Sequence, residues 1–337
     1  MRAYIVRKGS QGLEGLERCE REKPEPGADE VLLRVRAASL NYRDQMVVSG
    51  SYFGGAVTRD TVPLSDGAGE VVATGPKVSR FKIGDQVAGT FFQGWVEGPP
   101  KLPPPPALGS PLDGMLAEYV ALDQEGLVPV PGGLSIEEAA TLPCAAVTAW
   151  NALMVKGHLK AGDTVLAMGT GGVSIFALQF AKAVGAKVII TSSSDQKLER
   201  ARTLGADEGI NYLKTPDWEQ EVLRLTKGQG VDHVVEVGGV GTLARSFQAV
   251  GCGGNVSLIG VLAGREGDTN PSPLMLKGAS LTGIFVGNRA MFEDMNSFIT
   301  EKGLKPVIDR VFPFEEAEEA YKYQMTGRHF GKIVIRL

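Results

Sequence analysis

Between Ser135 and about residue 287 the chain alternates two apolar patterns. Short apolar runs at 163–168, 187–192, 208–212, 231–237, 254–260 and 280–286 read as strands. Between most of them apolar residues recur at helical spacing, as in Val173, Phe176, Ala177, Phe180, Ala181 and Val184. Six strands joined by crossover helices predict an α/β fold with a parallel, doubly wound sheet. The region opens with a helix at Ser135, where a serine cap is followed by Glu137 and Glu138 at the positive end of the helix dipole.

Residues 1 to about 90 carry β-type punctuation instead, with strands at Val31–Arg36 and Gly69–Ala73 and a turn and brief strand at Gly84–Gly89. Residues 93–114 are glycine- and proline-rich around Pro103–Pro106, which disfavours helix and central strand and predicts a surface loop of polyproline character. It is either a spacer or a lid whose apolar entry is Phe91, Phe92 and Trp95. After the βα region come helices near 290–302 and 315–325 and a last strand at 331–336. That strand cannot extend the alternation and is expected to return to the first part of the chain. The expected organisation is a discontinuous, mainly β domain, 1–125 with 288–337, around a Rossmann domain at 126–287.

Composition narrows the partners. With 337 residues, 43% hydrophobic and 22% charged, the chain has the makeup of a globular protein with room for two cores. A net charge of −4 gives no reason to expect nucleic acid or an anionic membrane as partner. No segment reaches the length of a membrane span, and the strand-like Met1–Arg7 is not a secretion signal. Three widely spaced cysteines (Cys19, Cys144, Cys252) fit a reducing cytoplasm.

The chemistry concentrates after the run 163–168, where Gly169-Thr170-Gly171-Gly172-Val173-Ser174 opens a helix and a second strand ends in Ser192-Ser193-Ser194. This is the order a dinucleotide-binding βαβ unit needs. Gly169 permits the turn, Gly171 lets backbone approach a pyrophosphate, and the helix amides face the anion. Turns also collect glycine for conformational reasons alone, but the flanking strand and helix favour the binding reading. Enzymes preferring NAD commonly place a carboxylate at the end of the second strand, where Ser192 stands. Serines 192 and 193 with Lys197 suit a 2′-phosphate, so NADP(H) is favoured over NAD(H). Asp195 opposes this only if it replaces the missing carboxylate instead of capping the next helix.

Asn41–Asp44, Asp66–Val72, Phe81–Val87, Leu142–Trp150, the glycine turn, Leu204–Ala206 and Gly331-Lys332 together make the chain resemble the medium-chain dehydrogenase/reductases, and within them the zinc-free quinone oxidoreductase-like branch. The resemblance implies a partly barrel-like, GroES-like catalytic domain, a Rossmann domain, a cleft between them and a homodimer. The edge position expected for strand 281–286 supports pairing of two copies. Where zinc-dependent members hold a catalytic zinc, this chain has Asn41, Ser65, Asp66 and Cys144. The four-cysteine lobe is missing, and His158, His233 and His329 are isolated, so no metal is expected. Cys144 is then a small apolar lining residue.

Without a metal, the charge that develops during hydride transfer must meet hydrogen-bond donors. The resemblance points to Asn41 as a donor to a carbonyl or quinone oxygen and to Tyr52 as donor or proton source. The plain alternatives are a helix cap for Asn41, a core-edge tyrosine for Tyr52 and a local ion pair for Arg43 and Asp44. The family pattern further implies Thr148 beside the nicotinamide, Tyr212 closing the phosphate pocket and Val237-Gly238 flanking the adenosine ribose. It places Ile259-Gly260-Val261 and Ile284-Phe285-Val286 along the nicotinamide, and has Lys332 reach a phosphate unless it is a solvated surface lysine. The expected activity is NADPH-dependent reduction of a quinone, an activated C=C bond or a carbonyl. The alternatives are a metal-free alcohol or aldehyde dehydrogenase and a non-catalytic NADPH-binding protein.

Overall fold

The computed structural model describes residues Met1–Leu337. It divides into two compact units, Met1–Val147 with Gly287–Leu337, and Thr148–Val286. The boundary thus falls at Val147/Thr148, later than the 125/126 expected from sequence. The reason is local pairing: Leu127–Pro129 joins a strand of the first unit, and the Cys144 amide bonds to Asp66 there.

The first unit contributes β1 (Arg2–Val6), β2 (Leu16–Glu20), β3 (Glu30–Ser39), β4 (Asp66–Thr74), β5 (Gln86–Gly89), β6 (Tyr119–Asp123) and β7 (Leu127–Pro129). The second contributes β8 (Thr164–Ala167), β9 (Lys187–Ser192), β10 (Glu208–Asn211), β11 (Val231–Glu236), β12 (Val250–Leu258) and β13 (Ser280–Gly283). The chain then returns to the first unit with β14 (Ile308–Pro313) and β15 (Lys332–Arg336), the latter antiparallel to β3. The return expected of the last strand is therefore observed.

The first unit is mainly β. Its larger sheet runs β14-β15-β3-β4-β5-β7, with β6 also on β3, while β1 and β2 pair separately. Its core gathers Leu33, Val71, Leu116, Ile333 and Tyr321, the last from the helix Ala317–Met325. Phe91, Phe92 and Trp95 are buried, and Trp95 and Val96 accept from the backbone of Arg289 and Ala290. The aromatic entry of the proline-rich loop is thus an anchor, and its exposed hydrophobe is Leu102.

The second unit is the parallel sheet anticipated, in the order β10-β9-β8-β11-β12-β13. Its direction reverses between β8 and β11, so the loops leaving their carboxyl ends diverge and leave room for a ligand. Leu166, Ile189, Val234, Phe247 and Trp218 fill one side of it. Two element bounds differ from expectation. β12 starts at Val250 because its glycine-rich start pairs with Val231 across a bulge. β13 stops at Gly283; the Ile284 amide still donates to Leu258 O of β12, and Phe285–Val286 leave the sheet. The Ser135 cap is present, its hydroxyl accepting from the Glu138 amide at 3.2 Å. The α-helix it starts is only Ile136–Ala139, followed by π-helical turns at Leu142–Ala146 and Asn151–Lys156. No helix is long and apolar enough to cross a membrane.

Candidate active site

β3 ends at Ser39, and two residues later Asn41 caps the helix Tyr42–Val48, its amide donating to Asp44 Oδ2 at 2.7 Å. The cap is made by the backbone, which leaves the Asn41 side chain available. Oδ1 accepts from Lys332 Nζ at 2.6 Å, and Nδ2 donates to Ser65 Oγ at 3.4 Å. Ser65 Oγ donates to Asp66 Oδ1 at 2.8 Å, and the Cys144 amide donates to Asp66 Oδ2 at 3.1 Å. Lys332 Nζ lies 3.7 Å from Asp66 Oδ2 and also donates to Leu40 O at 2.8 Å.

Lys332 is not the solvated surface lysine that was the plain alternative: at 3% exposure its Nζ donates to Leu40 O and Asn41 Oδ1 and faces Asp66. A fully buried carboxylate at the start of β4 requires a countercharge, and β15 lies close enough to supply one. Burial raises the Asp66 carboxyl above its usual value, against the pull of Lys332. Burial with the Asp66 charge also pushes the Cys144 thiol well up, which keeps it protonated.

Arg43 does more than pair with its neighbour. Its guanidinium lies between the rings of Tyr52 (4.7 Å) and Phe91 (4.8 Å) and donates to Leu108 O and Ser110 O, so it pins the end of the proline-rich loop. Asp44 Oδ1 is 3.7 Å away. Burial lifts the Asp44 carboxyl to about 6 despite Arg43. Half-buried Tyr52 is held above its usual pKa by desolvation, so its hydroxyl stays a donor at neutral pH. Asn41, Tyr52, Arg43, Asp66, Cys144 and Lys332 all belong to the first unit.

In the second unit the candidate cofactor residues other than Thr148 lie at or after the carboxyl ends of six parallel strands, which place them along one edge of the sheet. After β8, Gly169 has φ +74°, a conformation that glycine adopts freely, and its amide donates to Thr191 Oγ1 at 3.1 Å. Gly171 has an ordinary extended backbone, and a Cβ there would meet nothing within 4 Å. Nothing in the protein requires glycine at 171; the open space is what a pyrophosphate would fill. The amides of Gly172 and Val173 head the helix Gly172–Val184, and buried Thr170 precedes them. Ser174, in place of a third glycine, donates to Met168 O at 2.5 Å.

Ser192 ends β9 and is buried; its carbonyl accepts from the Tyr212 amide at 3.1 Å, which brings these two residues together, while Ser193 is exposed. Ser194 is the cap of the next helix, its Oγ accepting from the Lys197 amide at 3.4 Å. Asp195 is not that cap: its carboxylate takes Asn211 Nδ2 (2.7 Å) and Lys214 Nζ (2.5 Å). After β11 and β12, Val237-Gly238 and Ile259-Gly260-Val261 are joined through Leu262 N to Val237 O (3.2 Å) and Ile259 N to Glu236 O (2.9 Å). After β13, Phe285 is exposed. Val286 is buried with φ +54°, unusual for a β-branched residue, and its carbonyl accepts from Asn151 Nδ2 at 2.7 Å. Thr148 is buried at the start of the unit.

Sequence reasoning missed Glu236. It is fully buried at the end of β11, where Oε1 accepts from Gly238 N (2.7 Å), Gly239 N (3.1 Å) and Thr242 Oγ1 (2.7 Å), and Oε2 from Ser246 Oγ. The signal was an acidic last strand residue before Val-Gly-Gly, with hydroxyls six and ten positions on. This carboxylate shapes the Val237–Gly239 turn.

Residues 27–132 match the alcohol dehydrogenase GroES-like domain, and residues 172–301 match the zinc-binding dehydrogenase family. The chain is 45% identical over 344 residues to a zinc-type alcohol dehydrogenase-like protein of Schizosaccharomyces pombe, spanning 99% of each. It is 31% identical over 334 residues to a quinone oxidoreductase of Pseudomonas aeruginosa, spanning 96% of each. The crystal structure of an NAD-dependent alcohol dehydrogenase matches with a TM-score of 0.91 at 36% identity, over 100% of both chains. The chain belongs to the medium-chain dehydrogenase/reductase superfamily. It is an oxidoreductase of small molecules, as those relatives are.

Some of these names imply zinc, and in this dehydrogenase/reductase the positions expected to ligate it make other contacts. The Asn41 carbonyl oxygen faces an ammonium, and Ser65 is a neutral hydroxyl. Asp66 already accepts from Ser65 and Cys144 and faces Lys332. A dication would have to displace that ammonium, and no group of three or more His, Cys, Asp or Glu is placed to hold a metal.

Proposed function

We propose that the protein is a zinc-independent, NADP(H)-dependent reductase of the quinone oxidoreductase-like branch, acting on quinones or on C=C bonds conjugated to a carbonyl. The observation that carries this reading is the Asn41 amide, whose Oδ1 is held by a buried cation so that Nδ2 is turned away from it as a donor, where metal-dependent relatives have a ligand. When bound, the nicotinamide supplies a hydride. Asn41 Nδ2 then donates to the substrate oxygen as negative charge grows on it, and Tyr52 provides a second hydroxyl donor. Gly171, Gly172 and Val173 hold the pyrophosphate. Ser192, Ser193, Lys197 and Tyr212 take the 2′-phosphate, with no carboxylate at 192 to repel it. Thr148, Val237, Gly238, Ile259, Gly260, Val261, Phe285 and Val286 line the nucleoside and nicotinamide.

The test is NADPH and NADH oxidation with a quinone, an enone and an aldehyde, on protein assayed for zinc. Turnover of quinone or enone that survives chelation supports the reading. Stoichiometric zinc with chelator-sensitive aldehyde reduction would establish the alcohol dehydrogenase alternative, and no turnover at all the non-catalytic one. We further propose a homodimer through β13, which has a neighbour on one side only and leaves Leu281 and Phe285 exposed. Light scattering showing a monomer at micromolar concentration would refute it.

A further inference from the structure

A lysine buried to 3% exposure needs a reason, because an ammonium is costly to remove from water. Countercharge for Asp66 is one reason, but the closest contact of Lys332 is not Asp66. Nζ is 2.6 Å from Asn41 Oδ1 and 3.7 Å from the carboxylate. An ammonium has donors only, so Asn41 must turn its oxygen toward Lys332 and its NH2 the other way. Nδ2 faces Ser65 Oγ at a long 3.4 Å and the Asp66 carboxylate, whose proton affinity it lowers; a substrate oxygen would take over the long contact. Ser65 spends its own hydrogen on Asp66 Oδ1 at 2.8 Å, so it can only accept from Asn41. The four groups close a ring, Lys332 to Asn41 to Ser65 to Asp66 and back, in which every donor direction is determined. The Cys144 amide holds Asp66 from outside it.

We propose that Lys332 is a positioning residue for the reduction. It fixes the Asn41 amide with Nδ2 toward the substrate oxygen, and by drawing electron density from Oδ1 it makes Nδ2 a stronger donor. This rests on the function proposed above. In the reduction the dinucleotide loses a hydride and becomes NADP⁺, and the substrate carbon gains that hydride with its electron pair. The charge that moves onto oxygen, or onto the enolate, is met by Asn41. The balancing proton comes from solvent or the Tyr52 hydroxyl, and neither Asn41 nor Lys332 gives one up.

The experiment uses the full chain as Lys332→Arg, Lys332→Met and the double variant Lys332→Met/Asp66→Asn, the last removing the carboxylate that would otherwise be buried without its countercharge. Each is also made in an Asn41→Ala background. Turnover of whichever quinone or enone the wild type reduces should fall roughly tenfold to a hundredfold in the double variant, by loss of kcat with KM nearly unchanged, and Lys332→Arg should recover most of it. NADPH affinity, from fluorescence titration, should change less than about twofold, and Asn41→Ala should abolish any further effect of losing Lys332. Unchanged turnover, additive losses with Asn41→Ala, or NADPH binding weakened tenfold with kcat preserved would overturn the proposal, the last by restoring a phosphate role. If the wild type reduces none of these substrates, the functional reading has failed and NMR of protein labelled with 15N-asparagine decides this one. The Asn41 side-chain amide resonances should move in the double variant and return with Lys332→Arg; no movement overturns it.

Discussion

Glu236→Ala should be among the most damaging single changes to the second unit. Glu236 is fully buried and collects four donors, from Gly238 N, Gly239 N, Thr242 Oγ1 and Ser246 Oγ. The two hydroxyls have fallback acceptors, since Thr242 already reaches Gly239 O at 3.2 Å and Ser246 reaches Met168 Sδ at 3.6 Å. The two buried backbone amides have none. Bonds to a charged acceptor contribute about 1.5–3 kcal/mol each, so stranding both amides costs about 3–6 kcal/mol. Glu236→Gln keeps an oxygen for the amides while Ser246 turns to accept from the new NH2, so it should cost about 1 kcal/mol. In thermal melts the alanine variant should fall by roughly 10 °C or more and the glutamine variant by only a few degrees. NADPH affinity should follow the same order, because the Val237–Gly239 turn relaxes. Equal melting points for the two variants would refute the reasoning, since the amide acceptor would then not be the quantity that matters.

For the cofactor, Ser192→Asp should shift preference toward NADH, and Lys197→Ala should weaken NADPH by roughly tenfold to a hundredfold while sparing NADH. Fluorescence titration reads both, and an equal effect on the two dinucleotides would refute the 2′-phosphate assignment. Asn151→Ala removes the bond that holds Val286 O, so it should cost about 1–3 kcal/mol and speed amide hydrogen exchange at 284–287; unchanged exchange would refute it. Asp44 gives a pH signature. Its carboxyl is raised to about 6, above the unfolded value, so the folded state holds the proton more tightly and stability rises as pH falls from about 6 toward 4. Melting curves at pH 7 and pH 5 should show this gain in the wild type and not in Asp44→Asn.

Much of the architecture was legible before any coordinates. The period change at Ser135, the six apolar runs and the glycine turn are local patterns, and a buried parallel strand or an amphipathic helix needs only its own residues to announce itself. The return of the last strand followed by elimination, and the motif around Asn41 made it a candidate. The limits of β13 were not legible, because Ile284–Val286 is as apolar as the strand it follows, while in the fold Val286 O turns to Asn151 instead of a neighbouring strand. The domain boundary was likewise hidden, since 126–147 joins the first unit through partners distant in sequence.

Lys332 shows most clearly what tertiary structure alone decides. In the sequence it is a lysine at the start of a terminal strand, for which both a phosphate and solvent are reasonable partners. Its actual partner oxygens lie on Leu40 and Asn41, 292 and 291 positions away, and on Asp66 at the start of β4. They converge because β15 pairs with β3 and β3 pairs with β4, bringing Ser39 opposite both Val334 and Asp66. Sequence period determines which face a side chain takes within its own element. Which charges share a buried volume is decided by the order of strands in the sheet, and no local pattern in residues 331–336 records that order.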